Sequence, residues 1–173
     1  MIKRLITKSQ KGTSFIELIL YFSLLGIVLV IATDIILRTG EFSLESSARN
    51  DLQDDGRFII SRLSYDIHKA NSITTPVNLG DTSSTLVSTV GPETHTYSLV
   101  DTNIDYQEET GPPPNIQNAN INSNRTKVNS LTFKRLGNSG GKHTIKVTFE
   151  LEGTQPQKGG PEQKTFETVV SLR

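Results

Sequence analysis

Between Leu18 and Thr33 the chain reads LILYFSLLGIVLVIAT, sixteen residues without a charge. With Phe15-Ile16-Glu17 ahead of it, the window Phe15–Thr33 is nineteen residues long. As an α-helix it reaches about 28 Å at ~1.5 Å per residue, close to the ~30 Å hydrocarbon core of a bilayer. The window is apolar all round rather than striped, so lipid or protein is expected on every side of it. Lys3, Arg4, Lys8 and Lys11 precede it, and residues 1–12 contain no acid. Basic residues on that flank place the N-terminus in the cytoplasm and send the remainder outward. A single-pass membrane protein is therefore expected, with its bulk outside.

The formal net charge is zero, from 18 Lys+Arg and 18 Asp+Glu, but these charges are segregated. Residues 1–12 sum to +4, residues 13–69 to −3, residues 70–109 to −6 and residues 110–173 to +5. No strongly basic surface suggests direct nucleic-acid binding. The absence of cysteine excludes a disulfide scaffold, thiol catalysis and cysteine-ligated metal centres.

Two fates are open to the apolar segment. The triplet Val30-Ile31-Ala32 could end an ordinary secretory signal cut after Ala32. The chain would then be a secreted or membrane-tethered extracytoplasmic binding module. Glu17 speaks for the other fate. A carboxylate within a membrane segment costs roughly 2.5–3.5 kcal/mol on the mild insertion scale and normally has a dedicated partner. A discarded signal has no use for it.

The residues around it, Lys11-Gly12-Thr13-Ser14-Phe15-Ile16-Glu17-Leu18, resemble the processing site of type IV prepilins and pseudopilins. The shared pattern is a basic leader, a glycine, a glutamate fifth after that glycine, and an apolar run. The resemblance implies that a prepilin peptidase cuts between Gly12 and Thr13, removing leader 1–12, and N-methylates Thr13. It also implies that Glu17 fixes register in a filament by pairing with the N-terminal amine of a neighbouring subunit. Such a pair offsets the desolvation of both groups in low dielectric. Thr13 stands where phenylalanine or methionine is usual, and Ser14-Phe15 where threonine-leucine is common. Asp34 stands where many major pilins carry a helix-kinking proline, which favours a minor subunit. The implied partners are other pilin or pseudopilin subunits, the prepilin peptidase, the assembly platform with its ATPase, and membrane lipid before assembly.

Past the expected transmembrane segment 13–37, Leu44, Ala48, Leu52, Ile59, Leu63, Ile67 and Ala70 form one helical stripe. Arg49, Asp54, Arg57, Arg62 and Asp66 fall off it and are expected to face water. This predicts an amphipathic stem over 38–70 that ends before Pro76, locally weakened by Gly40 and Gly56 at ~1 kcal/mol each relative to alanine. The stretch GRFIISRLSYDIHKA at 56–70 resembles the stem end of J-type minor pseudopilins and W-type minor pilins, through Arg57-Phe58 and Asp66.

Residues 71–173 read as β-rich. The strands at 128–136, 143–152 and 164–172 are the clearest, with Ile145, Val147, Phe149 and Leu151 alternating with polar residues. Glycine-rich connections at 137–142 and 153–163 make an antiparallel meander of them. Weaker strands are expected at 85–90 and 94–100. Residues 107–126, with Gly111-Pro112-Pro113-Pro114 and five asparagines, read as a surface arm or a disordered segment. The fold class expected is α+β, a long N-terminal helix packed on an antiparallel β head.

Little in the sequence suggests chemistry. His68, His95 and His143 have no second ligand at metal-binding spacing, and Asp51, Asp54 and Asp55 lack the alternation of a calcium loop. No nucleotide-binding or hydrolase fingerprint occurs. The expectation is a structural subunit with no catalytic residues, metal, cofactor or small-molecule substrate. If the acidic and basic segments of the head lie on opposite sides, neighbouring subunits could dock through them; otherwise the charges compensate within one sheet. Loss of leader 1–12 would leave 14 basic and 18 acidic side chains, a mature charge of −4.

Overall fold

The computed structural model describes residues 14–138, 140–155 and 159–173. Among the described residues one long helix, α1 (Phe15–Lys69), is followed by nine strands. These are β1 (Ser72–Thr75), β2 (Thr82–Ser83), β3 (Thr85–Val90), β4 (Glu93–Val100), β5 (Asn103–Thr110), β6 (Asn115–Asn120), β7 (Thr126–Leu136), β8 (Thr144–Gly153) and β9 (Gln163–Ser171). They form two antiparallel sheets, a five-stranded one in the order β1-β3-β4-β5-β6 and a four-stranded one in the order β2-β7-β8-β9. The architecture is α+β, as the patterning predicts. The chain divides into two compact units, Met1–Phe42 and Ser43–Arg173.

Within the second unit, the apolar stripe of α1 and the inner faces of both sheets share one core. Leu52, Ile59, Leu63 and Ile67 meet Leu86, Tyr97 and Ile104 of the first sheet and Val128, Leu131, Phe133, Ile145, Val147, Phe149 and Leu151 of the second. Burying each such aliphatic or aromatic side chain contributes about 1.5–3 kcal/mol. Leu44 departs from the expected stripe: it is half exposed, and burial begins at Ala48. The four-stranded sheet follows the expected meander, β7 pairing with β8 and β8 with β9, and β2 adds one short strand beyond β7.

Gly56 is more than a weak point in the helix. It is buried against the ring of Phe166 on β9, whose Cζ would lie 2.2 Å from an added Cβ. The Phe166 ring in turn stacks on Phe149, centroids 5.3 Å apart. Glycine lets the aromatic pair and the helix backbone approach closely, which offsets its poor helix propensity.

Residues 107–126 are not a structureless loop. β5 continues to Thr110, turns through 111–114, and returns as β6, with Asp105 paired to Asn120 and Thr110 to Asn115. All of β6 is exposed. An arm solvated on both faces has no apolar periodicity, and this is why alternation could not reveal it. Past the arm, Ile121 and Asn122 are buried, and the Asn122 amide bonds to Asn103, Ser123 and Thr126.

Candidate functional site

Ser14 immediately precedes helix α1, and its carbonyl accepts bonds from the amides of Glu17 (3.0 Å) and Leu18 (3.1 Å). From Phe15 to Leu37 every large apolar side chain of the unit Met1–Phe42 is exposed, from 45 % for Leu18 to 78 % for Phe15. A core helix of a water-soluble protein would be covered, so an apolar surroundings other than water suits this segment. Two of its hydroxyls are satisfied within the helix: Thr33 donates to the Leu29 carbonyl and Thr39 to that of Ile35, both at 2.8 Å. Asp34, at the end of the apolar run, pairs with Arg38 at 2.8 Å. Glu17 is exposed, and the Tyr21 hydroxyl one turn on donates to it at 3.3 Å. Gly12, Thr13 and the leader residues Lys3, Arg4, Lys8 and Lys11 lie outside the described residues.

The head brings together polar groups that are scattered in sequence. Asp66 does not face water: it is 2 % exposed. Its Oδ2 accepts the Tyr97 hydroxyl and lies 3.3 Å from Arg62 Nε. Arg62 also stacks over the Tyr106 ring, 4.8 Å from its centroid. Burial pushes the Tyr97 hydroxyl well above its ordinary value, and the bond to Asp66 acts the same way. Tyr106 is raised too, by burial and by Glu108, which accepts its hydroxyl at 2.8 Å. Burial alone would lower Arg62, yet its contacts with Tyr97 and the Asp66 charge hold it above normal.

His95 is not isolated either. Glu93, His95, Tyr97 and Leu99 share the inner face of β4, and the register sets His95 opposite Glu108, and Tyr97 opposite Tyr106, on β5. The ring of His95 meets Tyr106 edge-on with centroids 5.5 Å apart. His68 lies at the surface, with its Nδ1 3.3 Å from the Ser171 carbonyl oxygen. The stem carboxylates are not simply solvated. Asp55 accepts bonds from the Ser123 amide (3.1 Å) and hydroxyl (2.6 Å) and from the Thr126 hydroxyl, while Asp51 pairs with Arg125 at 3.1 Å. These bonds tie α1 to the segment that leads from the arm into β7. Of the expected motif at 56–70, Arg57 and Phe58 are exposed and Asp66 is buried.

The period-2 pattern Glu93-x-His95-x-Tyr97-x-Leu99 was a readable sign that an ionisable pair shares the core face of a strand. Glu108 and Asp66 carried no such sign, because strand register and helix docking bring them in.

The two charge sets fall on different sheets. From Ala70 to Asn124 there are six acids and no Lys or Arg, and five of the six belong to the five-stranded sheet or its turns. The excess base lies along β7 to β9 and their connections. Compensation within a single sheet is therefore excluded. Arg135 is not available for docking, because its Nη1 donates to the carbonyls of Ile73, Pro76 and Val77 at 3.2, 2.9 and 2.7 Å.

No family model, curated protein or solved structure matches this chain. The class that the fold defines is an α+β protein whose single N-terminal helix is long and apolar enough to cross a membrane.

Proposed function

We infer that the chain is a minor pilin or pseudopilin, a structural subunit of a type IV pilus or a type II secretion-like filament. The observation that carries this reading is Glu17, an acid in an uncovered apolar helix with a tyrosine hydroxyl beside it. A side chain so placed suits an opposite charge brought by a second subunit. In this reading a prepilin peptidase cuts after Gly12 and methylates Thr13. The apolar helix then rests in the cytoplasmic membrane until the assembly platform and its ATPase extract it. In the filament the apolar segments pack together, the Thr13 amine meets Glu17 of a neighbour, and the heads face outward.

Mass spectrometry of the mature chain from its own cells tests this. A start at N-methyl-Thr13 is expected, and Gly12→Val should leave the precursor uncleaved. A start at Thr33 would instead mark a secretory signal, and one at Met1 a plain anchor; either overturns the reading. Glu17→Gln should preserve membrane insertion while filament incorporation falls at least about tenfold, the loss of roughly 1.4 kcal/mol or more of pairing.

A further inference from the structure

The ring nitrogens of His95 serve neither the fold nor the proposed assembly role. Its side chain is 7 % exposed, yet neither ring nitrogen has a hydrogen-bond partner. Nε2 lies 3.5 Å from Glu93 Oε2 and Nδ1 lies 3.7 Å from Asp66 Oδ2, both beyond good hydrogen-bond reach. Two buried polar atoms thus carry a desolvation cost without compensation, which in a native fold calls for an explanation. Glu108 stands directly across the strand pair, and one ligand atom each from Glu93, His95 and Glu108 lies within 4.8 Å of the others.

The electrostatics point the same way. Asp66, Glu93 and Glu108 surround the imidazole, and among the described residues Arg62 is the cationic side chain paired with them, through Asp66. With the histidine neutral this pocket sums to −2, and the sheet has no Lys or Arg from Ala70 to Asn124 with which to balance it. A divalent cation would.

The geometry points to a transition-metal site of the zinc class, with Glu93, His95 through Nε2, and Glu108 as ligands and a fourth position open to water. Ligand bonds of about 2.0–2.1 Å in a tetrahedron put donor atoms about 3.4 Å apart, close to the Nε2–Glu93 separation. The other two separations, Glu108 to His95 and Glu108 to Glu93, are at most 4.8 Å, and side-chain rotation has to close them to that spacing when the ion binds. Imidazole with two carboxylates suits zinc and its neighbours, whereas Ca²⁺ and Mg²⁺ favour larger all-oxygen shells. Asp66 stands where a carboxylate orients a ligating histidine through its other nitrogen, and the Tyr106 hydroxyl holds Glu108 Oε2 in place. Glu93, with its side chain 36 % exposed, opens the entry path. The ion clips β4 to β5 where the solvated β5–β6 arm departs. None of this depends on the filament reading.

The test is isothermal titration of the full-length protein in detergent micelles with ZnCl₂, repeated with Co²⁺ and read by absorption. One saturating equivalent with a tetrahedral Co²⁺ spectrum is expected. Affinity should fall about tenfold or more in Glu93→Gln and Glu108→Gln, and about a hundredfold in His95→Gln. Glu93→Gln is the decisive variant, because a partly exposed carboxylate can be neutralised without unfolding the sheet, which circular dichroism checks. Three results would each overturn the site: no saturable Zn²⁺ binding, wild-type affinity in both glutamate variants, or NMR showing both His95 nitrogens protonated in the presence of Zn²⁺.

Discussion

The two sheets of the head bury their inner faces by different means. On β7 and β8 the inward residues Val128, Leu131, Phe133, Ile145, Val147, Phe149 and Leu151 are apolar and at most 4 % exposed, with buried polar Thr126 at the start of β7. On β4 and β5 the inward face is graded: Leu99 and Ile104, then Tyr97 and Tyr106, then His95 and Glu108, then Glu93 near the solvent. One sheet is held by burial, which is additive and tolerant. The other is held by hydrogen bonds and charges that must all be present together. The contrast also separates roles, since among the described residues the buried ionisable groups of the head, with Asp66 from α1, gather at the graded face.

Five measurements sharpen the contrast, each by denaturant unfolding of the full chain in micelles. Phe149→Ala should be the most damaging, about 3–5 kcal/mol, because it empties the centre of the apolar sheet and removes the stack with Phe166. If the loss is under ~1 kcal/mol, that core is not the main support. Asp66→Ala should follow at about 2–3 kcal/mol, leaving the Tyr97 hydroxyl unpartnered and Arg62 without its counter-ion. Asp66→Asn should recover part of this, since an amide oxygen still accepts from Tyr97. An equal loss in both variants would mean that charge, not the hydrogen bond, matters. Gly56→Ala gains helix propensity but drives a methyl into the Phe166 ring, so a net loss of about 1–2 kcal/mol is expected. A gain would show that the ring moves aside freely.

The fourth measurement is pH dependence, and its sign follows from Tyr97. Burial and Asp66 raise its hydroxyl above the unfolded phenol value of about 10. Above that pH the unfolded chain has lost a proton that the folded chain keeps, so the folded state binds more protons and stability falls as pH rises. The contribution is fully present below pH ~10 and declines by up to ~1.4 kcal/mol per pH unit above it. Tyr97→Phe should flatten this decline while lowering stability at neutral pH. An unchanged slope would assign the effect to Tyr106 instead. The smallest effect belongs to Lys134 on β7, whose side chain is exposed. Lys134→Glu should alter stability by less than ~0.5 kcal/mol. If heads dock through their opposite charges, the same change lowers filament incorporation at low salt.

Local patterns made much of the fold legible. The apolar run, the stripe from Ala48 to Ala70 and the alternation along β8 are periodicities a helix or strand imposes on its own residues. The boundaries of β3 and β4 were legible for the same reason. Strand β6 within the arm was not, because a strand that buries neither face has no pattern to impose. Leu44 followed the stripe without being covered, since periodicity reports a face and not what lies against it.

By itself the sequence determined an exposed apolar helix carrying Glu17, a stem with one buried side, and the alternating strands of the second sheet. Each of these follows from spacing along the chain. Only the tertiary structure decided that Asp66 is buried beneath Tyr97, that Asp55 holds the segment after the arm, and that Glu108 faces His95. Cross-strand partners are set by turn geometry and register, and a one-residue slip would have turned Glu108 outward. Groups far apart in the chain become one site through such registration, and no local spacing encodes it.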